Sequence, residues 1–287
     1  MSRFSFPSWI EGHLTEDGHF AAAYDALSDR QRGVCKVSMA RLESLYGGIL
    51  PECQTVRSEK QGRSYFSHTT PAPWALFLVG HAFTSPVRLL AALMPAVLAG
   101  VPDILVCRVR EGAAPAPVVN AVLTSLELAG QETVADISPS EAGELVEYAC
   151  GHMDGGRLLF LGPFPGCERL FLSAVKRGFP CRAEFDVPRI AVTSAAQALL
   201  EREEAPEGTF YPSFEYLHFA HPDASVITLG AEELPGAEAY SCVLCAEEEV
   251  DSWLLSAPLV LTPGEEACWV WPDVSPAFFM ETRRAII

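Results

Sequence analysis

From Trp74 to Ser138 the chain reads strand, helix, strand, helix, an order that demands right-handed crossovers and a parallel sheet. Ala75–Val79 (ALFLV) is short, uninterrupted and apolar, as a parallel strand buried on both faces must be. Ser85-Pro86 then starts a helix, because proline fits the first turn and serine accepts from its free amides. Leu89, Leu90, Leu93, Val97 and Leu98 recur at helical spacing up to Gly100. Ile104–Val109 supplies a second strand, and Val118–Leu128 a second helix that stops at Ala129-Gly130. Further on, Ser140–Ala149 forms an amphipathic helix and Leu158–Leu161 a strand. Gly162–Gly166 is a rigid loop opening a helix over Glu168–Lys176, where free amides can meet an anion. The first 75 residues are mixed polar, helical over Asp25–Leu45, with Pro51, Pro71 and Pro73 marking loops. The expected fold class is α/β: a Rossmann-like parallel sheet with flanking helices, plus a second α/β lobe.

Several stretches carry a resemblance. Pro86–Val101 (PVRLLAALMPAVLAGV) resembles the histidinol dehydrogenase pattern P-S-S-V-L-M-x-A-x-P-A-x-x-A-G-V at the same spacing. Gly162-Pro163 with Ala174 and Lys176 is similar to the family's G-P-G-N…A-K. Phe185–Thr193 keeps Pro188 of A-G-P-S-E-V but has Arg189 and Ile190 in place of Ser and Glu. In the segment resembling G-G-A-Q, Ser138-Pro139 and Glu141 replace the glycines and glutamine, and the glycines would allow close backbone approach to a nucleotide. Phe279–Ile287 resembles the end of the family's catalytic domain, and the sequence ends short of the helices that bear its last zinc ligand.

The resemblance implies a nucleotide-fold domain over 74–186 and a second lobe joining 1–73 with 187–287. It places Arg202 and Ala205 where the family has zinc-binding glutamine and histidine, and Pro258 at a further histidine position, with Asp251 on the zinc-ligand aspartate. A guanidinium cannot ligate zinc, so zinc is not expected. Glu215 stands on the acid-base glutamate, and Tyr216 replaces its histidine partner. Glu215 and Tyr216 are therefore the candidate catalytic pair. Gly80, Ser85, Gly162, Gly166 and Arg189 are the candidate ligand-binding residues, in a crevice between the lobes beyond the carboxyl ends of the strands. Two functions follow: a non-catalytic relative that binds a small polar ligand or nucleotide or another protein, or an NAD(P)-dependent oxidoreductase with zinc-independent chemistry. NAD is the candidate cofactor, and a homodimer is one open assembly.

Composition narrows the partners. A net charge of −17 disfavours nucleic acid and anionic membrane, and residues 201–287 hold only Arg202, Arg283 and Arg284 against many Asp and Glu. Leu89–Pro102 is shorter than the ~20 apolar residues of a membrane crossing, and MSRFSFPSWIEGH lacks a secretory h-region, so a cytoplasmic location is expected. Nine cysteines among apolar neighbours fit reduced core residues. Cys242 and Cys245 form a C-x-x-C that reads equally as part of a buried strand, and Cys167 lies at a helix start, where a thiol nucleophile is conceivable. His218 and His221 are three apart, but Pro222 argues against a helix there. His13, His19 and His68 read as surface residues.

Overall fold

The computed structural model describes residues 6–47, 54–111, 119–201, 213–230, 233, 235–236 and 238–287. It opens with α1 (Asp17–Ala26) and α2 (Asp29–Tyr46) where the pattern predicts a single helix over Asp25–Leu45. The chain breaks at Leu27-Ser28 because Ser28 takes extended backbone and accepts from the Gln31 amide, while the Gln31 side chain accepts from the Ser28 amide. Next come β1 (Gln54–Lys60) and β2 (Arg63–Pro71), an antiparallel hairpin turning at Gln61-Gly62, both with positive φ. Sequence reading placed only loops here, since these polar strands have no apolar face to betray them.

The parallel core follows in the expected order: β3 (Trp74–Gly80), α3 (Pro86–Leu98), β4 (Asp103–Val109), α4 (Asn120–Leu128), β5 (Val134–Ile137), α5 (Pro139–His152), β6 (Arg157–Leu161), α6 (Cys167–Lys176) and β7 (Cys181–Glu184). The five strands lie in the order β5-β4-β3-β6-β7, all parallel, so strand order reverses between β3 and β6. The short β5 escaped the sequence reading.

The remainder forms β8 (Arg189–Val192), α7 (Ser194–Leu200), α8 (Phe214–Ala220), β9 (Ser225–Thr228), β10 (Cys242–Leu244), α9 (Val250–Trp253), β11 (Val260–Leu261) and β12 (Met280–Ile286). A second parallel sheet has the order β11-β10-β8-β9, and β12 returns to pair antiparallel with β2. Here α8 corrects the expectation of non-helical backbone around His218: Ser213 accepts from the Tyr216 amide and starts a helix that ends one residue before His221.

The pleat of β3 divides the interior. Trp74, Leu76 and Leu78 face α5 and α6, whereas Ala75, Phe77 and Val79 join α2, α3 and α4 in a core that continues into Ile190, Val192, Leu217, Leu244, Trp269 and Trp271 of the second sheet's half. The two parallel sheets thus share one apolar interior. The N-terminal segment touches both halves: Phe6 and Ile10 pack in the Trp74 cluster, Thr15 donates to the Val134 carbonyl and α2 lies against α3, while Arg41 of α2 pairs with Glu265 and β2 pairs with β12.

Gly156, just before β6, has no room for a side chain because a Cβ would overlap the Trp74 indole. Gly156→Ala is expected to cost about 2 kcal/mol of stability, read as a lower denaturation midpoint at unchanged m value. Gly151→Ala, in α5 with open space around it, should be neutral or stabilising.

Candidate functional site

The two sheets meet at Arg88, a cation in the first turn of a helix whose residues from Pro86 to Ala96 are all buried. Its guanidinium contacts Asp223 at 3.2 Å, and Asp223 also accepts from the Thr84 amide at 3.1 Å. Ser85 accepts from the Arg88 amide and donates to the Ala220 carbonyl at 2.6 Å, while the Trp271 indole donates to the Arg88 carbonyl at 2.9 Å. Phe83, Trp269 and Trp271 place their rings 4.5, 5.8 and 5.9 Å from the guanidinium carbon. Desolvation lowers the Arg88 pKa, opposed by Asp223 and Glu184, and desolvation raises that of Glu184 against the pull of Arg88. In the sequence Arg88 is a lone cation that directly precedes the apolar run Leu89–Pro102.

Of the expected ligand-binding residues, Ser85 is wholly buried and committed to the cap and the Ala220 carbonyl. Gly80 and Gly162 do face one another at the ends of β3 and β6, but in direct contact. A Cβ at Gly80 would collide with the Pro163 carbonyl, and one at Gly162, where φ is 72°, would press on Phe83. The strand-order reversal is where an open α/β sheet normally leaves its ligand crevice. Here the two loops pack on one another, and the neighbouring space lined by Val79, His81, Phe83 and Arg108 amounts to about 20 Å³. Gly166 takes a left-handed φ of 85° at the start of α6. Glu215 is exposed on α8, and Tyr216 is half-buried against the shared core. Arg189 pairs with Glu238, donates to the Ala239 carbonyl and stacks on Tyr240. Arg202 and Ala205 lie outside the described residues. Among the described residues, no three His, Cys, Asp or Glu side chains converge to hold a metal ion.

Larger cavities lie elsewhere among the described residues. One, about 430 Å³, is lined by Asp154–Arg157 and Pro180, at the amino ends of β6 and β7, the edge away from the usual ligand crevice. A second, about 230 Å³, lies beyond the carboxyl ends of β8 and β9 with Glu233, Glu248 and Glu249, but Glu249 already accepts from Thr193 and the Ala246 amide. The third, about 290 Å³, lies at the seam. Glu184, the last residue of β7, forms one side, and Tyr240, Ser241, Leu259, Trp269 and Trp271 come from the other half. Pro258, at the position of the family histidine, also lines it. Arg189 therefore holds a cavity wall through Tyr240 and Ala239 without lining the space itself.

No family model matches this sequence, and no curated protein matches it. Solved structures do resemble its fold. Histidinol dehydrogenase from Elizabethkingia anophelis aligns with a TM-score of 0.59 at 12% identity, over 96% of this chain and 76% of that one. A variant aldehyde dehydrogenase from Bacillus cereus aligns at 0.51 and 9%, over 100% and 86%. An NAD-dependent benzaldehyde dehydrogenase from Corynebacterium glutamicum aligns at 0.50 and 12%, over 94% and 84%. The chain has a dehydrogenase-like α/β fold.

Arg88→Ala should lose about 3 kcal/mol, because it leaves a cavity and takes the cation from the half-buried Asp223; Arg88→Met with Asp223→Asn should recover a large part. Denaturant titration of the three proteins reads this directly. His221 is buried against Trp269, and burial, followed by Arg88, pushes its pKa down to about 3. The unfolded chain therefore takes up a proton at this site as pH falls below about 6.5 while the native chain does not, so stability is lost from that pH toward pH 3. Between pH 6 and 4 the stability of His221→Leu should fall less steeply than that of the parent, by up to about 1.4 kcal/mol per pH unit.

Proposed function

We propose that the protein is a histidinol dehydrogenase-like protein that works without zinc and binds a small polar ligand at the seam. The observation that carries this reading is the cavity where Glu184, at the carboxyl end of the first sheet, meets the Tyr240, Trp269 and Trp271 walls of the second half. Its size and its mix of aromatic residues with the Glu184 carboxylate and the Tyr240 and Ser241 hydroxyls suit a small molecule. Substitution of the family's acid-base histidine by Tyr216, and of its zinc-ligand glutamine and histidine by Arg202 and Ala205, supports binding over the parent chemistry.

An NAD(P)-dependent oxidoreductase with Glu215 and Tyr216 as its reacting pair is the second reading, favoured by likeness to the NAD-dependent benzaldehyde dehydrogenase. In this reading a dinucleotide lies over the Gly80–Phe83 and Gly162–Pro163 loops, which touch one another at the ends of β3 and β6. Fold likeness does not carry activity with it.

A thermal-shift screen with NAD, NADP, small carboxylates and small organic amines tests both. A seam ligand at a hundred times its Kd should stabilise the chain by about 2.7 kcal/mol, and filling the cavity with Ser241→Trp should abolish that gain. Stabilisation by NAD that survives Ser241→Trp would instead favour the oxidoreductase.

A further inference from the structure

We propose that the seam cavity is a site for a methylated organic ammonium ion. The inference rests on the proposed seam ligand and adds its chemical class. Three aromatic residues, Tyr240, Trp269 and Trp271, line the cavity together with Glu184. Aromatic faces attract a cation through their quadrupole, and most strongly where water is excluded.

The local charge balance has the sign such a ligand needs. Arg88 is paired with Asp223 and Arg189 with Glu238, whereas Asp186 adds a second negative charge beside Glu184. A cation in the cavity therefore meets a carboxylate that the neighbouring arginines do not fully offset. An anion would meet the wrong charge.

Hydrogen bonding then separates a methylated ammonium from a primary one. The carbonyls of Glu184, Ala239, Leu259 and Trp271 already accept from Gly162, Arg189, Val243 and Val274 respectively. The Ser241 hydroxyl likewise accepts from the Arg189 amide at 3.2 Å. A primary ammonium carries three donors, each of which must find an acceptor on desolvation. A fully methylated, quaternary ammonium carries no N–H and presents methyl groups to Leu259 and the aromatic residues.

Isothermal titration of the full chain with choline, and with its neutral isostere 3,3-dimethylbutanol, tests the class. Choline should bind at least tenfold more tightly than the isostere. Glu184→Gln and Tyr240→Leu should each weaken choline about tenfold while native stability is retained, and Ser241→Trp or Leu259→Trp should abolish binding. Equal affinity for choline and the isostere, or choline binding unaltered by Glu184→Gln and Tyr240→Leu, overturns the inference. If a carboxylate binds and either filling variant blocks it while choline does not bind, the seam site stands and the cationic class falls. If no probe responds to either filling variant, both fall.

Discussion

A guanidinium excluded from water sits where the two parallel sheets meet, and the arrangement of the rest follows from how it is satisfied. Placing Arg88 in the interior costs several kcal/mol of lost hydration, which only close and well-aligned partners can offset. Those partners come from elsewhere in sequence: Asp223 supplies charge, Trp271 takes the backbone carbonyl, and Phe83 and Trp269 supply ring faces. Ser85, three residues earlier, caps the helix that carries Arg88 and donates to the last residue of α8. One helix start therefore fixes the distance between the halves. Among the described residues, Nε and Nη1 of Arg88 and Oδ1 of Asp223 make no hydrogen bond within the protein, so the pair is held more by exclusion of water than by full satisfaction.

A second buried cation does a similar job at the other end of the sheet. Arg157 donates to the carbonyls of Gly155 and Gly156 on its own segment and to those of Phe278 and Met280 on the way into β12. Its bonds are all to neutral carbonyls, whereas Arg88 faces a carboxylate. Arg157 thus anchors the returning strand that completes the three-stranded sheet, and desolvation lowers its pKa as it does that of Arg88. Both arginines begin or flank elements of the first sheet and bind residues more than a hundred positions downstream.

These constraints bear on function by deciding which spaces stay open. Gly80 packs on Pro163 and Gly162 on Phe83 at the switch point, and the Arg88 guanidinium lies over the Phe83 ring. Space reappears one strand further along, at the end of β7, where the Trp269-Trp271 segment arches from Arg88 to Glu184. The scaffold is dehydrogenase-like, and one of the cavities among the described residues lies at the seam.

The sequence by itself determined the parallel core, because uninterrupted apolar strands and proline-serine helix starts are local signals: β3, α3, β4, β6 and α6 lie where Ala75–Val79, Ser85-Pro86, Ile104–Val109, Leu158–Leu161 and Gly166 point. It also brought Gly80 opposite Gly162, since both follow strands that proved to be neighbours. It did not reveal the β1-β2-β12 sheet, whose polar strands lack a buried face, nor the short β5. Only the tertiary structure decided that Ser85 faces Ala220, that Arg88 meets Asp223, and that Glu184 shares a cavity with Tyr240, Trp269 and Trp271. A lone arginine in an apolar helix says that a partner must exist, because an unpaired buried charge is too costly to keep. Which carboxylate that is depends on how two sheets pack across a shared core, a relation between distant segments that local residue patterns do not encode.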